Sequence, residues 1–176
     1  GEKQGQMAPD GSVLLQEAQE MVQRVQALPD ISGLKTDLET LTRAPRPVGS
    51  QREADAVTYL QRRFEEMGYS VTLQPYTDSR GNTGNNVVAV KQGGGRDGDI
   101  LVISAHHDSV PTAYGANDNA SGVAALLYVA EKLQDIPSDT QVRLISFTDE
   151  ENGKNGSRAY TATLTEEERQ RLVGAI

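Results

Sequence analysis

The chain has 176 residues and no cysteine, and its 25 acidic against 17 basic side chains give a formal net charge of -8. That length fits one domain of ordinary size. The acidic balance argues against a nucleic-acid binder, which needs a basic face, and the missing cysteines exclude a disulfide framework and leave His and carboxylates as the ligands for any bound metal.

No run of 18 apolar residues occurs, so no membrane span is expected. The opening at Gly1, without a charged-then-apolar leader, reads as a processed start and fits a secreted, extracellular protein. Hydrophobic residues make up 36% with no Trp, so the core must be built from Leu, Val, Ile and Ala.

Residues 1–11 read as a frayed lead-in. From Ser12 a helical pattern sets in, with Leu14, Ala18, Met21, Val22, Val25 and Leu28 on one face and Pro29 beyond its end. A shorter helix is expected over residues 34–43. The stretch from Ala44 to Ser50, with two prolines and a glycine, then breaks the pattern. The third helix carries Ala54, Val57, Leu60, Phe64 and Met67 on one face. Ser50 is its N-cap, Glu53 completes a capping box, and Gly68 is the C-cap glycine.

After Gly68 the period changes to that of strands, over residues 70–77 and 86–91, joined by a polar turn region. The Gly-rich link 92–99 is followed by a strand rather than a helix N-terminus, which argues against a phosphate cradle. Residues 100–105 form an almost wholly apolar run, as in a strand covered on both faces. A helix over 119–134, a strand over 141–147, helices over 157–164 and 165–172 and the start of a strand at 173–176 complete the pattern. Residues 1–33 form a lead-in and helix, and residues 34–176 form one α/β unit, a mixed, largely parallel sheet flanked by helices.

Three polar clusters fall at the ends of these elements, where open α/β sheets bind their ligands. They are Ala105-His106-His107-Asp108-Ser109, the loop-to-helix segment from Gly115 to Gly122 containing Asp118-Asn119, and Phe147-Thr148-Asp149-Glu150-Glu151-Asn152-Gly153. Singly, each has a structural explanation: Asp118-Asn119 could cap a helix, Glu150-Glu151 could be solvated loop charges, and His-x-Asp is commonplace. Three such strand ends in this order are harder to explain by structure alone.

Together the motifs resemble those of the co-catalytic zinc exopeptidases, a family that includes bacterial leucyl aminopeptidase, aminopeptidase Y, glutamate carboxypeptidase II and the transferrin receptor. The resemblance runs from about Leu34 to the last residue and implies the N-terminal part of a zinc exopeptidase domain, truncated before its end. It implies that His106 is a zinc ligand, that Asp108 orients the His106 ring, and that Asp118 bridges two zinc ions, its bond to Asn119 being a cis peptide. It further implies that Glu151 binds the second zinc and Glu150 is the general base, acting on a peptide substrate. His107 sits at the variable middle position and reads as an incidental neighbour.

The family's five ligand side chains are matched here by three, and His106 and His107 are the only histidines. The missing Asp and His are expected beyond Ile176, in a C-terminal part or from a second chain. With two protein ligands per zinc rather than three, the chain alone is expected to be inactive. The expected activity of the whole protein is that of an aminopeptidase. The alternatives are a non-catalytic binding domain on the same fold, and carboxypeptidase or glutaminyl cyclase chemistry.

Overall fold

The computed structural model describes residues 30–94 and 98–176, together with Gln16, Gln19, Glu20 and Gln23. The chain divides into two units between Ile31 and Ser32. The apolar face expected of the first helix lies outside the described residues. The sheet, its core and the polar clusters all belong to the second unit.

Ser32–Leu41 (α1) and Gln51–Glu66 (α2) lead into the strands Ser70–Thr77 (β1), Thr83–Lys91 (β2) and Ile100–His106 (β3). A kinked turn at Ala116–Ala120 runs into Ser121–Leu133 (α3), followed by Gln141–Phe147 (β4), Asn155–Thr163 (α4), Glu166–Arg171 (α5) and Leu172–Ala175 (β5). The five strands form one mixed sheet in the order β1-β2-β4-β3-β5. β1, β2 and β4 pair antiparallel, whereas β3 lies parallel to both β4 and β5.

α2 begins as the sequence predicts and then departs from it. The Ser50 hydroxyl accepts the Glu53 N–H at 3.1 Å. The Glu53 carboxylate, however, does not close the capping box on Ser50. It is buried, accepting the Gly49 N–H at 2.9 Å and the Thr148 hydroxyl. The inward face is Glu53, Ala56, Val57, Leu60 and Phe64, with Ala54 turned to solvent. Val57, Leu60 and Phe64 fix that stripe, and an alanine packs almost equally well on either side of it. The helix stops at Gly68, whose φ of +82° suits glycine.

β2 starts at Thr83, three residues before the expected position. Thr83-Gly84-Asn85 reads as turn material in the sequence, but it pairs with Thr77-Tyr76-Pro75 across the hairpin. The turn itself is held by Asp78, whose carboxylate accepts the backbone N–H groups of Arg80 and Asn82, both at 2.8 Å. The residues 173–176 that read as an unpaired strand start run beside β3, where the Ile176 N–H reaches the Val102 carbonyl at 3.0 Å.

Alternation along β2 and β4 sends Val87, Ala89, Val142 and Leu144 to one face, against Val57, Leu60 and Phe64 of α2 and Val123, Leu127 and Ala130 of α3. Val88 and Ile145 face the other side with Ile100, Val102 and Tyr160 of α4. The sheet is therefore covered by helices on both faces. α1 is tied to α2 by a polar contact: buried Asp37 takes the Arg63 guanidinium through both oxygens, at 2.9 and 3.1 Å, and also accepts the Tyr59 hydroxyl. Phe64 is fully buried, with its ring edge-on to Tyr69. Phe64→Ala should cost about 3–5 kcal/mol, read as a lowered denaturant midpoint in an equilibrium unfolding curve.

Candidate active site

β3 and β4 are parallel neighbours with His106 opposite Phe147, so both chains leave the sheet at the same edge. The polar clusters that follow them are thereby brought side by side. The third cluster arrives because the turn Ala116–Ala120 is bent at Asp118 and Asn119, which depart from helical geometry and are joined by a cis peptide bond. Asn119 does the capping: its side-chain oxygen accepts the Gly122 N–H at 3.1 Å. Asp118 is left free to face His106.

His106 Nε2 lies 3.0 Å from an Asp118 carboxylate oxygen and 3.7 Å from Glu150 Oε2. Donor atoms of His106, Asp118 and Glu151 all fall within 4.8 Å of one another. This is the one group among the described residues that could hold a metal ion in that way. On the other side of the ring, Nδ1 is 3.3 Å from Asp108 Oδ1. The two oxygens of Asp108 also accept the backbone N–H groups of Glu150 at 3.1 Å and Glu151 at 3.2 Å.

Burial acts to raise the Asp108 carboxyl, but the bonds from His106 and the two N–H groups outweigh it and hold the group below the usual carboxylate range. An ionised Asp108 can only accept, so Nδ1 carries a ring proton in either state; Nε2 donates to Asp118 when the ring is charged and offers its lone pair to the cluster when the ring is neutral. Burial also acts against a charged His106, yet Asp108, Glu150 and Asp118 together lift it above the ordinary imidazole value. Glu151 is raised by burial first and by Asp118 next. Four carboxylates converge here, and His106 and Glu151 are the groups whose hold on a proton this strengthens.

Every residue that the sequence singled out is brought to this edge: His106, Asp108, Asp118, Glu150 and Glu151. His107 points the other way. It is fully buried, with Nδ1 3.0 Å from Ser146 Oγ and Nε2 3.6 Å from Glu53 without a hydrogen-bond partner.

Sequence reasoning missed the polar layer underneath. Thr148 donates its N–H to Asn86 Oδ1 at 3.0 Å and its hydroxyl to Glu53. Asn86 in turn bonds the Gly156 carbonyl and Gln74, both at 2.9 Å. Asp149, in the left-handed region at φ 53°, accepts the side-chain amides of Asn152 at 2.6 Å and Asn155 at 2.8 Å, shaping the loop that bears Glu150 and Glu151. The available signal was Asn86, a polar residue at the head of the apolar run of β2, and Thr148 directly after the end of β4.

The pKa pattern makes a prediction for the metal-stripped protein. His106 should titrate above the ordinary histidine value, and Asp108→Asn should bring it down by removing the charge that holds the proton. Imidazole carbon-bound proton shifts followed against pH by NMR would check this; an unchanged His106 midpoint in the variant would contradict it.

Residues 86–176 match the model of peptidase family M28. Aminopeptidase YwaD of Bacillus subtilis is 33% identical over 145 residues, covering 81% of this chain and 28% of that protein. The chain thus spans less than a third of that relative's length. Among solved structures, a zinc aminopeptidase from Bacillus subtilis superposes with a TM-score of 0.79 at 18% identity, covering 84% of this chain and 69% of the other. A glutaminyl cyclase from Fimbriiglobus ruber superposes with a TM-score of 0.69 at 19% identity, covering 83% and 59%. At these identities the structural likeness shows the fold alone.

Proposed function

The chain belongs to peptidase family M28, and from that premise we propose that the intact protein is a zinc-dependent aminopeptidase removing N-terminal residues from peptides. The carrying observation is the convergence of His106, Asp118 and Glu151, with Glu150 beside them.

The donor set suits zinc, with one imidazole nitrogen, carboxylate oxygens and no thiolate. Two ligands each about 2 Å from a tetrahedral ion lie about 3.3 Å apart, close to the 3.0 Å between His106 Nε2 and Asp118. In this reading His106 would hold one ion, Glu151 a second and Asp118 both. Three side chains are few for two ions, so water, substrate or further donors would complete their coordination. Bound zinc supplies an acidified water and a polarised carbonyl.

The chain's own groups do the rest. Asp108 keeps the His106 ring in one tautomer and one orientation, a contribution typically worth about 10–100-fold in metal affinity. Glu150, about two-thirds buried, takes the proton from the attacking water onto its carboxylate and hands it to the leaving amine. The acidic lip formed by Asp118, Glu150 and Glu151 favours a substrate whose cationic amino end lies at the site, restricting cleavage to the first peptide bond.

Glu150→Gln keeps the size of the side chain and removes the base. In the intact protein, turnover of aminoacyl-nitroanilides should fall about 10²–10⁴-fold while zinc content by atomic absorption stays at the wild-type level. A variant keeping a tenth of wild-type turnover would assign the proton transfer to another group.

A further inference from the structure

Arg46 lies in the proline-rich stretch between α1 and α2, outside every motif of the site, yet it is 2% exposed. It has no carboxylate partner among the ion pairs of the described residues. Its donors go instead to main-chain carbonyls. Nε donates to His107 at 2.8 Å, Nη1 to Tyr114 at 2.8 Å and to Leu41, and Nη2 to Gly115 at 3.2 Å. The Arg46 backbone is clamped as well: its N–H meets Ser109 Oγ at 2.9 Å and its carbonyl accepts the Ser109 N–H at 3.1 Å.

The carbonyls it gathers flank the candidate ligands. His107 follows His106 directly, and Gly115 opens the turn that carries Asp118. Gly115 supplies a second, independent sign of the same contact. Its φ is +61°, and a Cβ there would lie 2.9 Å from Arg46 Nη2, 2.6 Å from Ser109 Cβ and 2.8 Å from the Asp118 carbonyl. The turn has closed onto the guanidinium as far as a residue without a side chain allows.

We propose that Arg46 is a positioning residue that sets the separation of His106 and Asp118 by holding the main chain on either side of them. The proposal deepens the zinc-site reading and rests on it for its functional meaning. A planar fork with five donors can bind carbonyls from three segments at once, whereas a lysine ammonium is a point donor that cannot span them. Losing the fork leaves buried carbonyls unpaired, and the Val110–Gly115 loop is then free to carry Asp118 away from His106.

The test uses Arg46→Lys in the intact protein. In metal-stripped samples, nuclear Overhauser contacts between the His106 ring and the Asp118 β protons should be present in the wild type and lost in the variant, while core methyl shifts stay in place. Zinc affinity, measured by competition with a chromophoric chelator, should fall at least tenfold, and the cobalt(II)-substituted absorption spectrum should change shape. A folded Arg46→Lys protein with the contacts retained and wild-type zinc affinity overturns the proposal. If Arg46→Lys does not fold, Ser109→Ala decides: it removes the acceptor of the Arg46 N–H and should weaken zinc binding in the same direction, and no change overturns the proposal. A wild-type protein that takes up no zinc would defeat the zinc reading, while the contacts in the stripped protein would still decide the role of Arg46.

Discussion

The edge of this sheet depends on one buried carboxylate. Asp108 is 1% exposed, and an ion removed from water to that degree costs several kcal/mol unless its oxygens are satisfied. They are satisfied by His106 Nδ1 and by the N–H groups of Glu150 and Glu151. The same bonds that keep the charge tolerable tie the end of β3 to the end of β4. They also fix which nitrogen of His106 is free and where Glu150 and Glu151 begin. Stability and site geometry are thus one requirement at this position, since an uncharged Asp108 would loosen both.

That arrangement is possible only because β3 and β4 are parallel and adjacent. A parallel pair needs a long crossover, which here contains the Val110–Gly115 loop, the Asp118 turn and α3. The connection that makes the sheet parallel therefore also delivers the third polar cluster to the edge where the first and last emerge. The antiparallel β1–β2 hairpin contributes from behind. Asn86 on β2 holds Thr148 through its backbone N–H, and Gly84 leaves room for Thr148 and Glu53, since a Cβ at Gly84 would lie 2.2 Å from Thr148 Oγ1.

Much of this was legible in the sequence because it is written in local pattern. β1 and β4 are found at their predicted bounds, and the Ser50 cap and the Gly68 stop of α2 hold, because each depends on neighbours a few residues away. The residues of the candidate site stood out as motifs at strand ends, and the structure brings them together at one edge. What the sequence hid is the set of contacts between residues far apart in the chain. Glu53 reads as a capping-box acid, but a hydroxyl 95 residues away competes for it and wins. Thr83-Gly84-Asn85 reads as turn because Gly and Asn are turn formers, and its pairing with Pro75-Tyr76-Thr77 appears only across the hairpin. Arg46 reads as a charged residue in a loop, and its burial follows only from carbonyls up to 69 residues distant.

The polar layer below the site explains how so many like charges can be held together before any cation arrives. Asp118 is 70% exposed on its side chain, whereas Asp108 has almost no contact with water. Repulsion within the cluster therefore acts mainly at its open rim, where solvent screens it, and the buried member is the one with fixed hydrogen bonds. A rim carboxylate can turn outward at little cost. Asp108 cannot turn without releasing two backbone N–H groups. The floor of the site, Asp108 with its bonds to His106 and to the Glu150 and Glu151 N–H groups, is thus set independently of how the rim side chains turn.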